Sequence, residues 1–150
     1  MKTIELDSLT FSAMLRQGAV SLSKDKKVIN YLNVFPIPDG DTGDNMLMTL
    51  KAGCNAVKDN LGTLAELASA ASSGMLLGAR GNSGVILSRI FAGLAKGLQD
   101  VIVADTNTFA KAMDSAVAEA YKAVPVPVEG TIITVLREGA AGADASPDLN

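Results

Sequence analysis

Apolar residues in this chain recur at helical spacing, and the alternation typical of β-strands is nearly absent. Ile86, Ile90, Leu94 and Leu98 follow one another at intervals of four, which places them on one face of a helix. Aromatic residues make up only 4% of the chain. Small side chains such as Ala and Gly let helices approach closely. This pattern predicts an all-α fold.

Glycine and proline clusters divide the chain into about seven predicted helices. Thr63 and Glu66 have the spacing of a capping box, and Asp105 or Thr106 is the predicted cap of a later helix. Short connections predict antiparallel neighbours. We expect one helical domain over residues 1–140 and a disordered tail over 141–150. The predicted helices cover about residues 9–22, 24–32, 45–58, 63–71, 86–98, 105–120 and 131–140.

Composition excludes several classes of function. The 150 residues carry a net charge of −3 without a broad basic surface, which argues against nucleic acid as a partner. The single cysteine, Cys54, excludes an internal disulfide framework, and the absence of histidine removes the usual general base and zinc ligand. No apolar run approaches the roughly 20 residues of a membrane span. A cytoplasmic protein with no membrane span is the expectation.

Three carboxylates fall within six residues of the segment PIPDGDTGDNM, which contains no Lys or Arg. Like charges this close repel one another, so they need a counter-charge. Carboxylate, amide and hydroxyl oxygens are the ligands that a hard divalent cation prefers. The segment therefore predicts a cation site, and a turn capped by Asp44 is the alternative. The candidate ligands are Asp39, Asp41, Thr42, Asp44 and Asn45.

A glycine-rich loop, GARGNSG, lies directly before the helix that contains Ile86. Such a loop presents backbone N–H groups at a helix start, where they suit phosphate oxygens. Asn82 and Ser83 add side-chain donors, and Arg80 is a natural charge partner for phosphate. An ordinary connection between helices, with Ser83 as a cap, is the alternative.

A third loop, VPVEGT, also precedes a helix. Thr131 is its predicted N-cap. Because alternate connections of an antiparallel bundle lie at the same end, this loop is expected to meet the two described above.

These three motifs together resemble a known family. LNVFPIPDGDTGDNM, GARGNSGVILSRI and PVEGTIITVLREGA closely resemble, in this order and spacing, the N-terminal nucleotide-binding domain of bacterial fatty acid kinases. That domain is similar in turn to the L domain of dihydroxyacetone kinases. The resemblance covers residues from about 5 to 140. It implies an antiparallel helical barrel or bundle whose open end binds ATP through two Mg²⁺ ions, here truncated at its C-terminal end.

The resemblance also implies roles for individual residues. Asp39 and Asp41 would be the catalytic metal ligands, with Asn33, Asp44 or Asn45 as further contributors. Asp44 stands where threonine is expected. Thr42 stands where dihydroxyacetone kinases tend to have histidine, which favours the fatty acid kinase branch. The implied nucleotide-binding residues are Thr42, Gly43, Asn45, Gly81, Asn82, Ser83, Gly84 and Thr131.

The implied reaction is phosphoryl transfer from ATP to a fatty acid carboxylate, which gives an acyl phosphate. The fatty acid would arrive on a DegV-like fatty-acid-binding carrier protein. A carboxylate is already ionised at neutral pH, so a chain without histidine needs no strong general base. The other expected partners are the remaining domains of a parent kinase and, in a homodimer, a second copy. A subunit that phosphorylates a small ketone or polyol and a non-catalytic nucleotide-binding module stay open as alternatives.

Overall fold

The computed structural model describes residues 5–35, 37–60 and 62–146, and helices dominate them. The only strands in these ranges are β1 (Glu5–Leu6) and β2 (Ala104–Asp105), which pair antiparallel. The expected all-α class is confirmed. No helix in the described ranges combines the length and hydropathy needed to cross a membrane. The helices are α1 (Ser8–Tyr31), α2 (Thr42–Ala56), α3 (Leu64–Gly78), α4 (Gly81–Gly97), α5 (Thr106–Ala123) and α6 (Ile132–Ala145).

Several helix boundaries differ from the prediction: among them, α3 ends at Gly78 rather than near Ala71, and α4 begins at Gly81 rather than at Ile86. The first segment is one continuous helix rather than two, because no glycine or proline near Ser23 interrupts it. Helix α2 begins earlier than expected, since Asp41 rather than Asp44 occupies the N-cap position. Helix α6 continues to Ala145, so residues 141–145 are helical rather than disordered. The predicted breaker Pro36 and the tail residues 147–150 lie outside the described residues.

Side-chain caps begin three of the helices, two of them as predicted. Thr63 and Glu66 form the expected capping box at the start of α3. Asp105, not Thr106, caps α5 and accepts a hydrogen bond from the Thr108 N–H at 2.7 Å. Asp7 caps α1 in the same way. Each cap satisfies backbone N–H groups that have no partner within their own helix.

Consecutive helices pack against each other, and α2 also packs against α4. The connections α1–α2, α3–α4 and α5–α6 lie at one end, and the capped N-termini of α3 and α5 lie at the other. This arrangement confirms the expected antiparallel order. Small residues allow the close approach of α4 and α5: a Cβ atom on Gly93 would lie 2.6 Å from the Ala116 Cα. The fold therefore brings three loops together at one end of the bundle.

Candidate functional site

A cavity of about 600 Å³ lies at the end of the bundle where α2, α4 and α6 begin. Its walls come from the three loops that the sequence singled out. Each of these loops has one glycine with a positive φ, which lets the backbone turn sharply: Gly40, Gly81 and Gly130. Nine of the twelve predicted site residues line the cavity: Asn33, Asp39, Asp41, Thr42, Asn45, Gly81, Asn82, Ser83 and Thr131.

The charge of the cavity is negative. Asp39 and Asp41 are the only charged side chains among its lining residues in the described part of the chain. Arg80, the predicted partner for phosphate, is not among the lining residues, and its Nη1 donates to the Ala79 carbonyl oxygen at 3.0 Å. A polyanion such as a triphosphate would therefore meet two carboxylates without a compensating side-chain cation. A bound cation would remove this repulsion.

Asn33 connects the end of α1 to the aspartate loop. Its Nδ2 donates a hydrogen bond to the Asp39 Oδ1 at 2.7 Å. This contact does not use the Asn33 Oδ1 or the second carboxylate oxygen of Asp39. Asp39 and Asp41 are both exposed at the cavity mouth. The oxygens around this mouth are carboxylate, amide and hydroxyl oxygens, which fit a hard divalent cation.

Asp44 does not join Asp39 and Asp41. Its Oδ1 accepts a hydrogen bond from the Lys26 Nζ at 2.6 Å, and its Oδ2 accepts one from the Asn30 Nδ2 at 2.7 Å. These two bonds hold the pKa of the Asp44 carboxyl below its usual value of 3.8. Among the described residues, no three His, Cys, Asp or Glu side chains are grouped to hold a metal. The counter-charge of Asp44 is a lysine on α1.

The N-termini of the helices differ between the two ends of the bundle. At the far end, side chains cap α1, α3 and α5. At the cavity, the N-cap residues Asp41, Arg80 and Thr131 make no capping hydrogen bond through their side chains. Thr131 occupies the predicted N-cap position, but its hydroxyl donates to the Val128 carbonyl oxygen at 2.8 Å. The first turns of α4 and α6 thus present uncapped N–H groups, which favour an anion.

Thr49 fixes the start of α4 against α2, and the sequence did not point to it. The side chain is fully buried, and its Oγ1 donates to the Asn45 carbonyl oxygen at 2.8 Å. The Thr49 Oγ1 also accepts a hydrogen bond from the Arg80 N–H at 3.2 Å. A Cβ atom on Gly84 would overlap this hydroxyl, so Gly84 supports packing behind the cavity. Thr49 lies one helical turn after Asn45, and this spacing is the sequence pattern that could have identified it.

A hydrogen-bond network braces the third loop. Arg137 on α6 donates from both terminal nitrogens to the two carboxylate oxygens of Glu129, at 2.6 and 3.0 Å. The Thr134 hydroxyl donates to Glu129 and accepts from the Gly130 N–H. These bonds, first of all those from Arg137, lower the pKa of Glu129 below its usual value. The network holds Gly130, and with it Thr131, at the cavity wall.

The remaining wall of the cavity is apolar. Side chains from α1, the α1–α2 loop, α2, α4 and the α5–α6 region line it. Several of these residues are exposed, including Leu32, Val34, Phe35 and Ile37. The apolar lining residues are Ile29, Leu32, Val34, Phe35, Ile37, Met46, Val85, Ile86, Val124, Val128, Ile132 and Ile133. The cavity therefore combines a polar, negatively charged side with an apolar one.

Two further residues at the site were not predicted as such. Asn30 accepts hydrogen bonds at its Oδ1 from the N–H groups of Gly43 at 2.7 Å and Asp44 at 3.2 Å, so it caps α2 from another helix. Lys26 precedes Asn30 by one turn. Lys26 belongs to a cluster of three lysines that precedes the loop in the sequence, Lys24, Lys26 and Lys27. The sequence does not show the partner of Lys26, because the pairing depends on how α1 and α2 pack.

Comparisons with known proteins show the family of this chain. Residues 36–150 match the family model of the DAK2 domain. An uncharacterized protein of Staphylococcus saprophyticus is 46% identical over 140 residues, which cover 93% of this chain and 25% of that protein. Uncharacterized proteins of Staphylococcus epidermidis and Staphylococcus aureus are 44% and 43% identical over the same length. The chain spans about a quarter of the length of these relatives. The chain belongs to the DAK2 domain family, a kinase family whose domains bind nucleotides.

Proposed function

We propose that this chain is the ATP-binding part of a kinase that transfers a phosphoryl group to a fatty acid carboxylate. The observation that carries this proposal is the cavity, which joins two aspartates to the uncapped N-termini of α4 and α6. Membership of the DAK2 domain family supports ATP as the nucleotide. The fatty acid as acceptor rests on the sequence resemblance and on the apolar wall.

The donor set fits Mg²⁺. Asp39 and Asp41 would hold the metal, with Asn33 beside them, since all three line the cavity and offer oxygen ligands. Bound there, Mg²⁺ would neutralise negative charge on the phosphates of ATP. The cavity contains no side-chain cation among its described lining residues, so nothing else in it would offset the triphosphate charge. Asp44 is paired with Lys26 and is not proposed as a ligand.

The first turn of α4 would receive the phosphates. The N–H groups of Gly81, Asn82 and Ser83 have no partner within the helix, because its first internal bond runs from the Gly84 N–H to the Arg80 carbonyl oxygen. Backbone donors fixed in this way stabilise charge on phosphate oxygens without rearranging. The first turn of α6, beside Thr131, supplies a second set of such donors.

The proposed reaction needs little from acid–base side chains. A carboxylate oxygen of the fatty acid attacks the γ-phosphorus, and the bond between that phosphorus and the β,γ-bridging oxygen breaks. ADP leaves with the electron pair, and the acyl phosphate remains. Because the attacking group is already ionised, no proton has to be removed, and positioning supplies most of the rate. A DegV-like carrier would present the fatty acid at the exposed apolar residues of the cavity mouth.

Substitution of the two aspartates tests the proposal. Asp39→Ala and Asp41→Ala are expected to abolish Mg²⁺-dependent formation of acyl phosphate by the full-length protein with carrier-bound fatty acid. Asp59→Ala, beyond the other end of α2, removes the same charge and should leave turnover unchanged. Near-normal turnover in either of the first two variants would contradict the metal role.

The product separates the proposed reaction from its alternatives. Formation of glycerone phosphate from dihydroxyacetone, without acyl phosphate, would assign the chain to a kinase of small ketones. Binding of Mg²⁺ and ATP without either product would support a non-catalytic nucleotide-binding module.

A further inference from the structure

The contact between α1 and α2 contains a group of hydrogen-bonded residues whose contacts are not explained by nucleotide binding alone. We call Lys26, Asn30, Gly43 and Asp44 the α1–α2 junction. Asn30 Oδ1 accepts two backbone N–H bonds from the first turn of α2, and Asn30 Nδ2 donates to the Asp44 carboxylate. Lys26 donates to the other oxygen of that carboxylate. Every polar atom of the Asn30 side chain is therefore used to hold α2.

The junction lies directly behind the aspartate loop. Asp41 is the N-cap residue of α2, and its carbonyl oxygen accepts the Asn45 N–H at 2.9 Å. The position of the first turn of α2 therefore fixes the backbone of Asp41. At the other end of the loop, Asn33 binds Asp39. The loop that carries both aspartates is thus attached to the end of α1 on both sides.

The contribution of the Lys26–Asp44 contact to folding stability is too small to account for it. The side chains of Lys26 and Asp44 keep 34% and 44% of their exposure, and ion pairs this open add little to folding stability. Neither residue lines the cavity, so neither contacts a ligand there. Their geometry is nevertheless specific, because a Cβ atom on Gly43 would overlap the Lys26 carbonyl oxygen. What the contacts do determine is where α2 begins.

We propose that Lys26, Asn30 and Asp44 are positioning residues, which hold Asp41 where it binds the metal and keep the Asp44 carboxylate away from that metal. This inference rests on the proposed function, because it assumes that Mg²⁺ binds at Asp39 and Asp41. It gives Asp44 a role opposite to that of a ligand. The negative charge that would compete for the cation is bound by Lys26 instead.

The test measures how much Mg²⁺ the full-length protein needs to bind ATP, by calorimetry at increasing Mg²⁺. Lys26→Met and Asn30→Asp are expected to raise the Mg²⁺ concentration at half-maximal binding by about tenfold, the lower end of the usual effect of a residue that orients a metal ligand. Lys27→Met, which removes a neighbouring exposed charge, should leave it unchanged. The Tm of Lys26→Met should stay close to that of the parent protein.

An exchange of partners separates positioning from simple loss of packing. In the double variant Asn30→Asp with Asp44→Asn, the amide on α2 donates to the carboxylate on α1, and the two backbone N–H groups keep an acceptor. The double variant should therefore need less Mg²⁺ for half-maximal ATP binding than Asn30→Asp alone. Failure of this rescue would overturn the positioning role.

The outcomes for Asp39→Ala and Lys26→Met separate this inference from the proposed function. If Asp39→Ala abolishes Mg²⁺-dependent ATP binding while Lys26→Met leaves the Mg²⁺ requirement unchanged, the positioning role is wrong and the proposed function stands. A lower Mg²⁺ requirement in Lys26→Met would also overturn it, since Asp44 would then act as a ligand once released. If Asp39→Ala still binds ATP in a Mg²⁺-dependent way, the proposed function fails and the inference fails with it.

Discussion

Gly43 lies against the backbone of Lys26 so closely that the two helices leave no room for a side chain between them. A Cβ atom on Gly43 would lie 2.9 Å from the Lys26 Cα and would overlap the Lys26 carbonyl oxygen. Both contacted atoms are backbone atoms of α1, so neither can move aside easily. The start of α2, and with it the aspartate loop, depends on this contact.

Gly43→Ala is therefore expected to separate the start of α2 from α1. The overlap should lower the free energy of unfolding by about 1–3 kcal/mol. Denaturant unfolding measures this loss. Gly18→Ala, within α1, is the matched control, because a Cβ atom there would lie 4.0 Å from the nearest contact, a Leu50 methyl. An equal loss in both variants would contradict the close contact.

Gly93→Ala should destabilise the packing of α4 on α5. A Cβ atom on Gly93 would lie 2.6 Å from the Ala116 Cα, and the expected cost is again about 1–3 kcal/mol. Gly139→Ala tests the opposite case, since nothing lies within 4 Å of a Cβ atom at that helical position. The alanine there should stabilise the protein by about 0.5–1 kcal/mol. Chemical denaturation of both variants distinguishes packing from helix propensity, and a stabilising Gly93→Ala would contradict the account.

Arg137→Met should weaken ATP binding several-fold with little change in Tm. The substitution removes the two bonds to Glu129 that brace the loop before α6. Exposed ion pairs contribute little to stability, so the effect should appear in binding. Arg89→Met removes an exposed arginine from α4 and serves as the control. Unchanged ATP affinity in Arg137→Met would show that the loop keeps its position without the brace.

The cap of α5 predicts how stability depends on pH. Hydrogen bonds from Thr108 lower the pKa of the Asp105 carboxyl below its usual value of 3.8. A carboxyl whose pKa is lower in the folded state stabilises the fold fully above its unfolded pKa, and this contribution is lost as the pH falls through the folded value. Asp105→Asn keeps a capping side chain that does not titrate. Tm is measured by thermal unfolding from about pH 5 to about pH 2, the range in which carboxyl groups titrate. Over this range, Tm should decrease less in Asp105→Asn than in the parent protein. An identical decrease would contradict the role of this cap.

Local sequence patterns predicted much of the fold. The capping box at Thr63 and the cap at Asp105 depend on residues three positions apart, so they were visible in the sequence. The sequence predicts two helices that meet near Ser23, but serine fits within a helix and α1 is continuous. The common location of the three loops followed from the antiparallel order of the helices.

Local sequence patterns did not predict the contacts between residues on different helices. Asp44 does have a counter-charge, as the sequence predicts, but a lysine supplies it rather than a cation. Lys26 lies 18 positions upstream and meets Asp44 only when α1 packs on α2. Thr49 was missed for a similar reason, because its bond to the Arg80 N–H joins residues 31 positions apart. Residues that touch a site from behind depend on packing, which a single sequence does not reveal.

Calorimetric titration with ATP, in the presence of Mg²⁺ and of a chelator, tests the central claim most directly. The cavity has two carboxylates and no side-chain cation among its described lining residues, so ATP should bind with Mg²⁺ and not with the chelator. Asp39→Ala should lose the Mg²⁺-dependent binding. Equal affinity for ATP with Mg²⁺ and with the chelator would contradict the account.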